Sequence, residues 1–145
     1  MTGKTDALEN DILDLLFKAV AIADLAENDT SSPATNLYFS LHTATLDDAS
    51  TQATSEIAYT NYARVAVARG AGFTVTGNSV SPAAAVTFAQ SAGGAGGTVT
   101  HFGIGTNATA TQAGYLMYWG TVTPNIVVTS GVTPQLTTAS AVTED

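Results

Sequence analysis

The chain has 145 residues, no cysteine and a formal net charge of −8, a length that makes one ordinary domain able to bury about 70% of the surface its unfolded form exposes. Without cysteine there is no disulfide framework, no thiolate nucleophile and no Cys-based zinc site. Twelve acids against four bases leave no basic stripe for phosphate contacts, so nucleic acid is not expected as a partner.

The start of the chain, residues 1–10, carries acids where an export signal would carry a basic segment and an apolar run, so no export signal is expected. No stretch approaches the roughly eighteen consecutive apolar residues of a membrane span, and a membrane is not expected as a partner either. The spacing of Leu8, Ile12, Leu15, Leu16, Ala19, Ile22, Ala23 and Ala26 predicts one amphipathic helix over residues 6–26. Thr5 is placed to cap it, with Asp6 and Glu9 in the first turn, where the helix dipole favours carboxylates. Asp11, Asp14, Lys18 and Asp24 fall away from the stripe, and a loop rich in Asn, Ser and Pro follows to residue 34. Such a helix packs on its own domain or docks on a neighbouring subunit.

From residue 36 the period changes to two. Leu37, Phe39 and Leu41 alternate with Tyr38, Ser40 and His42, which predicts a half-buried strand. Residues 43–55 lack periodicity and predict a long loop. Further strands are predicted at 62–69, 73–77, 84–89, 99–104, 115–122, 126–129 and 136–142, with turns at 70–72, 77–78, 81–82, 123–125 and 130–131. The glycine-rich run 91–97 reads as a mobile hairpin tip. Short strands at about ten-residue spacing without intervening helices predict an antiparallel β-sandwich or jelly roll, mainly β, preceded by one N-terminal helix. The division is a helix and linker over residues 1–35 and a β-sandwich over 36–145, one structural domain in all.

The ionisable residues are unevenly spread. Ten of the twelve acids lie in the first 56 residues, and between Glu56 and Glu144 the only charges are Arg64 and Arg69. That leaves most of the fold without the groups on which acid, base or metal chemistry depends. His42 and His101 sit in different predicted strands, and a metal site would need them to converge with Asp47 or Asp48, which nothing in the spacing predicts. Gly103-Ile104-Gly105-Thr106 lacks the third glycine, the helix and the lysine of a phosphate loop, and reads instead as a bulge or a close backbone approach. No Gly-x-Ser-x-Gly elbow and no paired strand carboxylates occur. No catalytic residue, cofactor or metal is therefore expected. Strand alternation puts Tyr115, Met117 and Trp119 on one face and Leu116 with Tyr118 on the other, so one side is core and the other is a subunit contact, a sugar-binding face or ordinary hairpin packing.

Four segments resemble a known family: Tyr59-Thr60-Asn61-Tyr62-Ala63-Arg64-Val65-Ala66-Val67, residues 80–88 with Ala-Ala-Val-Thr-Phe, Thr98-Val99-Thr100-His101-Phe102-Gly103-Ile104, and Leu116-Met117-Tyr118-Trp119-Gly120. Together with the Leu-Tyr-x-x-Leu-His-Thr-like strand at 37–43 they resemble the small virion proteins of tailed bacteriophages labelled tail-fibre-like. The resemblance covers nearly the whole chain and carries over no catalytic residues. It implies a structural virion protein. A compact domain without heptads or repeats disfavours a fibre shaft, and the expectation is a capsid decoration (cement) protein on the outer capsid surface, made in the host bacterial cytoplasm. Its expected partners are the major capsid protein and itself, as a homodimer or homotrimer; the alternatives are a tail or tail-fibre-associated subunit and a carbohydrate-binding adhesin module. The candidate interface residues are Leu8, Ile12, Leu15 and Leu16 on the helix, Arg64, Arg69, Tyr118 and Trp119.

Overall fold

A computed structural model describes residues 6–22 and 34–144. The fold is mainly β: three antiparallel sheets follow one short N-terminal helical element. Helix α1 (Asp6–Leu13) runs into a π-helical turn (Asp14–Lys18), and Ala19, with φ of 59°, stops it in the left-handed conformation. The predicted helix is therefore cut at Lys18, and its expected members Thr5, Ala23, Asp24 and Ala26 lie outside the described residues. A π turn admits one extra residue, so a stripe counted at α-helical spacing slips. The buried positions are Glu9, Leu13 and Phe17, with Leu16 partly covered; Ile12 and Leu15 are only half-buried, and the side chain of Leu8 lies outside the described residues.

The strands are β1 (Asn36–His42), β2 (Val65–Ala68), β3 (Phe73–Thr76), β4 (Ser79–Pro82), β5 (Val86–Thr87), β6 (Gly97–Gly105), β7 (Leu116–Val128), β8 (Gln135–Leu136) and β9 (Val142–Thr143). They form a four-stranded sheet of order β2-β1-β6-β7, a three-stranded sheet β3-β4-β9 and a pair β5-β8. Three strand predictions need correction. Ser81-Pro82, expected as a turn, ends β4; Pro82 pairs only with Phe73 on β3, because β9 reaches β4 at Ser79 and Val80, so its missing N–H interrupts no ladder. The 136–142 segment splits into β8 and β9, which join different sheets. Thr123-Pro124-Asn125, expected to reverse the chain, instead bulges from one continuous β7: His101 pairs with Thr121 and Val99 with Ile126.

One face of the four-stranded sheet carries Leu37, Phe39, Leu41, Phe102 and Ile104, and it packs on the helical element and the two smaller sheets in a single core. Phe17 meets Phe73 edge-on at 4.9 Å between centroids and Tyr118 at 5.6 Å, so the N-terminal element is seated in the domain's own core. The opposite face was expected to be open. It is not: Ser40 and His42 are fully buried, because the 43–57 loop folds back over them and is tied by Thr43 N–H to the Ser55 carbonyl and Ile57 N–H to the Leu41 carbonyl, both 2.9 Å. The 91–97 run is also held, contrary to a mobile tip. Thr60 N–H donates to Gly93 at 2.7 Å and Gly96 N–H to Ala58 at 2.9 Å, while Gly93, Gly94 and Gly96 supply the positive φ that the path requires.

Candidate interaction surface

The covered face of the large sheet is built around the last acid before the acid-free stretch. Glu56 takes both arms of Arg64, Nε to Oε1 and Nη2 to Oε2 at 2.8 Å each, and both side chains are buried. The remaining capacity of the pair is also used: Tyr62 Oη–H donates to Oε1 at 2.8 Å, Thr111 N–H to Oε2 at 2.9 Å, and Arg64 donates to the carbonyls of Asn107 and Gln112. A buried ion pair is tolerated only when its other hydrogen-bonding positions are filled in this way. Burial first, and then the Glu56 carboxylate, push the Tyr62 hydroxyl far above its ordinary pKa, so it stays a donor to Glu56 and an acceptor from Leu41 N–H. Arg64 is thus placed inside the domain, clamping the 107–112 loop to the sheet.

Arg69 is likewise engaged within the chain. Its guanidinium donates from Nε to the Leu16 carbonyl at 2.6 Å, from Nη1 to Ala34 at 2.9 Å and from Nη2 to Leu15, taking carbonyls that the end of the π turn leaves without helical partners. Gly70 N–H adds a bond to Phe17 O at 2.7 Å.

His42 and His101 are cross-strand partners, which spacing did not predict. Each ring already has a hydrogen-bonding neighbour. His42 Nδ1 lies 2.8 Å from the Thr54 carbonyl, which can only accept, so the proton sits on Nδ1 and Nε2 accepts from the Ser40 hydroxyl at 2.8 Å. His101 Nδ1 lies 2.9 Å from Thr100 Oγ1. Asp47 is exposed and turned onto its own loop, accepting from Ala49 N–H and the Ser50 hydroxyl, and among the described residues no third His, Asp or Glu joins the two imidazoles. Desolvation lowers the pKa of His42 below its usual value, against smaller opposing effects of the Thr54 carbonyl and Glu56. The stability this neutral ring contributes is therefore complete above about pH 6.5 and is lost as pH falls through the folded-state value. Urea melts at about pH 7.5 and pH 5 should show a steeper loss in the natural chain than in His42→Gln; equal slopes would contradict the assignment.

The two glycines once compared with a phosphate loop are explained by close approach. A Cβ on Gly103 would meet Ser40 Oγ and His42 Nε2 at 2.8 Å each, and one on Gly105 would collide with the Gln52 side chain and the Tyr115 carbonyl. Gln52 is fully buried and bridges the face, donating to Tyr38 O at 3.3 Å and accepting from Asn107 N–H at 2.8 Å.

The aromatic cluster divides differently from simple alternation. The pairing of β6 and β7 shifts between Ile104 and Gly105, so Leu116 is turned toward Gly103 and shares a face with Trp119, while Met117 and Tyr118 pack on the main core. Tyr118 donates to Glu144 at 2.9 Å, and burial together with that carboxylate raises its pKa well above the ordinary phenol. Trp119 is 36% exposed and Tyr115 is 74% exposed. Of the candidate interface residues, Trp119 keeps its ring at the surface, while Arg64 and Arg69 are bonded inward and Tyr118 is turned to the core.

The family model described as Podophage GP4 fiber I protein gp80 matches residues 3–143. The chain belongs to that family. As a fiber I family member it is a structural component of a bacteriophage virion, and the tail-fibre-like resemblance of its strand motifs has its source there. No curated protein matches the chain.

Two residues that organise this fold escaped the sequence reading, Glu56 and Gln52. A faint signal existed for Glu56: it is the one acid bordering a long segment whose only charges are arginines. For Gln52 there was none, since a lone amide in a Thr- and Ala-rich loop looks the same whether solvated or buried.

Proposed function

We propose that this protein is a compact subunit of the virion's tail-fibre apparatus that acts by binding rather than catalysis and associates with copies of itself. The observation that carries this reading is the family match across nearly the whole chain. The chemistry of the fold supports a binding role. Glu56, Arg64, His42 and Gln52 are committed to holding loops on the sheet, and among the described residues no buried side-chain nitrogen or oxygen lacks a hydrogen-bond partner. What the sheet body turns outward is uncharged. Without a repeat period or heptads, the domain suits a globular knob or attachment piece of a fibre rather than its shaft.

A second reading is capsid decoration: a cement protein on the outer capsid surface, bound to the major capsid protein. The net charge of −8 favours it, because an acidic protein is repelled by the packaged genome. A carbohydrate-binding role would fall to Trp119 and Tyr115, the exposed rings. Gold-labelled antibody on intact virions, viewed by electron microscopy, tests the placement. Label at the tail is expected; label spread over the shell would transfer the protein to decoration, and absence from purified virions would overturn both.

A further inference from the structure

The large sheet ends on one side in β2, four residues long and flanked by residues 83–87, and on the other in β7, thirteen residues long. Among the described residues, no main-chain hydrogen bond runs from β7 to any element but β6. A long exposed edge is a template for another strand, and proteins that stay single blunt it with lysine, shortness, bulges or a cover. In β7 the excursion at residues 122–125 with Pro124 falls in the second half, which residues 135–140 flank, while the first half carries one extra residue, Met117, between Leu116 and Tyr118. Residues 118–121 contain no charge, proline or bulge, and Trp119 and Thr121 are exposed along them. Of the four large hydrophobics exposed among the described residues, Tyr115, Trp119 and Val127 lie in or immediately before this strand.

We propose that residues 117–121 of β7 pair antiparallel with the same residues of a second copy, Trp119 facing its own equivalent at a two-fold axis, so that two four-stranded sheets join with both Trp119 rings on one face. Charge selects the occupant. Two copies of a chain at −8 repel through their acidic parts, yet residues 57–143 contain no carboxylate, so this edge lets two copies meet without opposing like charges. Glu144, the first carboxylate after this neutral stretch, is turned onto the Tyr118 hydroxyl on the core side of the strand. A basic partner would find no acid to pair with along the edge. A strand paired antiparallel with its own copy is isologous, each residue meeting its equivalent in reverse order, so one neutral edge is its own complement.

The inference rests on the self-association in the proposed function and gives it a surface. Sedimentation velocity of the full chain should find a species of twice 14.7 kDa. Trp119→Lys should weaken it by about 100-fold or more, since position 119 faces its own equivalent on the axis and the substitution sets two like charges directly against each other, with the far-UV spectrum keeping its β character. Hydrogen exchange of the natural chain supplies a second arm that needs no variant: amides at 117–121 should exchange more slowly as protein concentration rises. A natural chain that stays monomeric at its highest soluble concentration overturns both the self-association and the surface. An oligomer that ignores Trp119→Lys, or whose concentration-dependent protection lies elsewhere, overturns the β7 surface alone.

Discussion

Replacing Arg64 with methionine is expected to destabilise the fold by about 3–5 kcal/mol, the cost of leaving one member of a buried ion pair without its partner. Glu56 would keep only Tyr62 Oη–H and Thr111 N–H against a side chain almost wholly shielded from water. The 107–112 loop would also lose two carbonyl anchors, those of Asn107 and Gln112. The urea midpoint reads the effect directly, provided the slope of the transition is unchanged. The double replacement Arg64→Met with Glu56→Leu should recover much of the loss, because removing both charges also removes their desolvation cost. A single variant within about 1 kcal/mol of the natural chain, the range of exposed pairs, would mean that the pair is solvated.

Phe17→Ala is expected to cost a similar amount, about 3–5 kcal/mol, through the cavity it leaves against Phe73 and Tyr118. The choice of residue distinguishes two arrangements of the N-terminal element. Packed within its own chain, the element makes the loss independent of protein concentration. Docked on a neighbour, it would make the melting temperature of the natural chain rise with concentration more steeply than that of the variant, whereas association through β7 raises both alike. Thermal melts over a wide concentration range separate the two, and the Phe17 contacts predict the first.

Where the sequence read correctly, a local rule had no competitor. The alternation of Leu37, Phe39 and Leu41 against Tyr38, Ser40 and His42 placed β1 and its core face, and Gly77-Asn78 marked the β3–β4 turn. Where it read wrongly, tertiary packing supplied what local spacing does not contain. The helical stripe slipped because a π turn set Phe17 onto Phe73, and no count at 3.6 residues per turn anticipates an inserted residue. Ser40 and His42 were taken for an open face, since nothing in a Thr- and Ala-rich loop announces that it will fold back over a sheet.

The candidate interface was less legible than the fold. Arg64 and Arg69 looked like partner-seeking charges in an otherwise neutral segment, yet each meets acceptors distant in sequence: Arg64 reaches Asn107 and Gln112, and Arg69 reaches Leu15 and Leu16. A charge surrounded by apolar sequence is recruited inward when a loop with free carbonyls lies over it. Trp119 keeps its ring at the surface, but the shift near Gly105 turned Tyr118 to the core and left Tyr115 as the other surface ring. The edge status of β7 is a property of strand order and could not be read from its residues.

The central claim, a fibre-associated virion subunit, is tested most directly by its copy number per particle, measured by quantitative mass spectrometry against the major capsid protein. Tail and shell differ greatly in how many equivalent sites they offer. The fibre reading predicts a small number of copies, far below that of the capsid protein. A ratio approaching one per few capsid subunits would contradict it and place this protein on the shell.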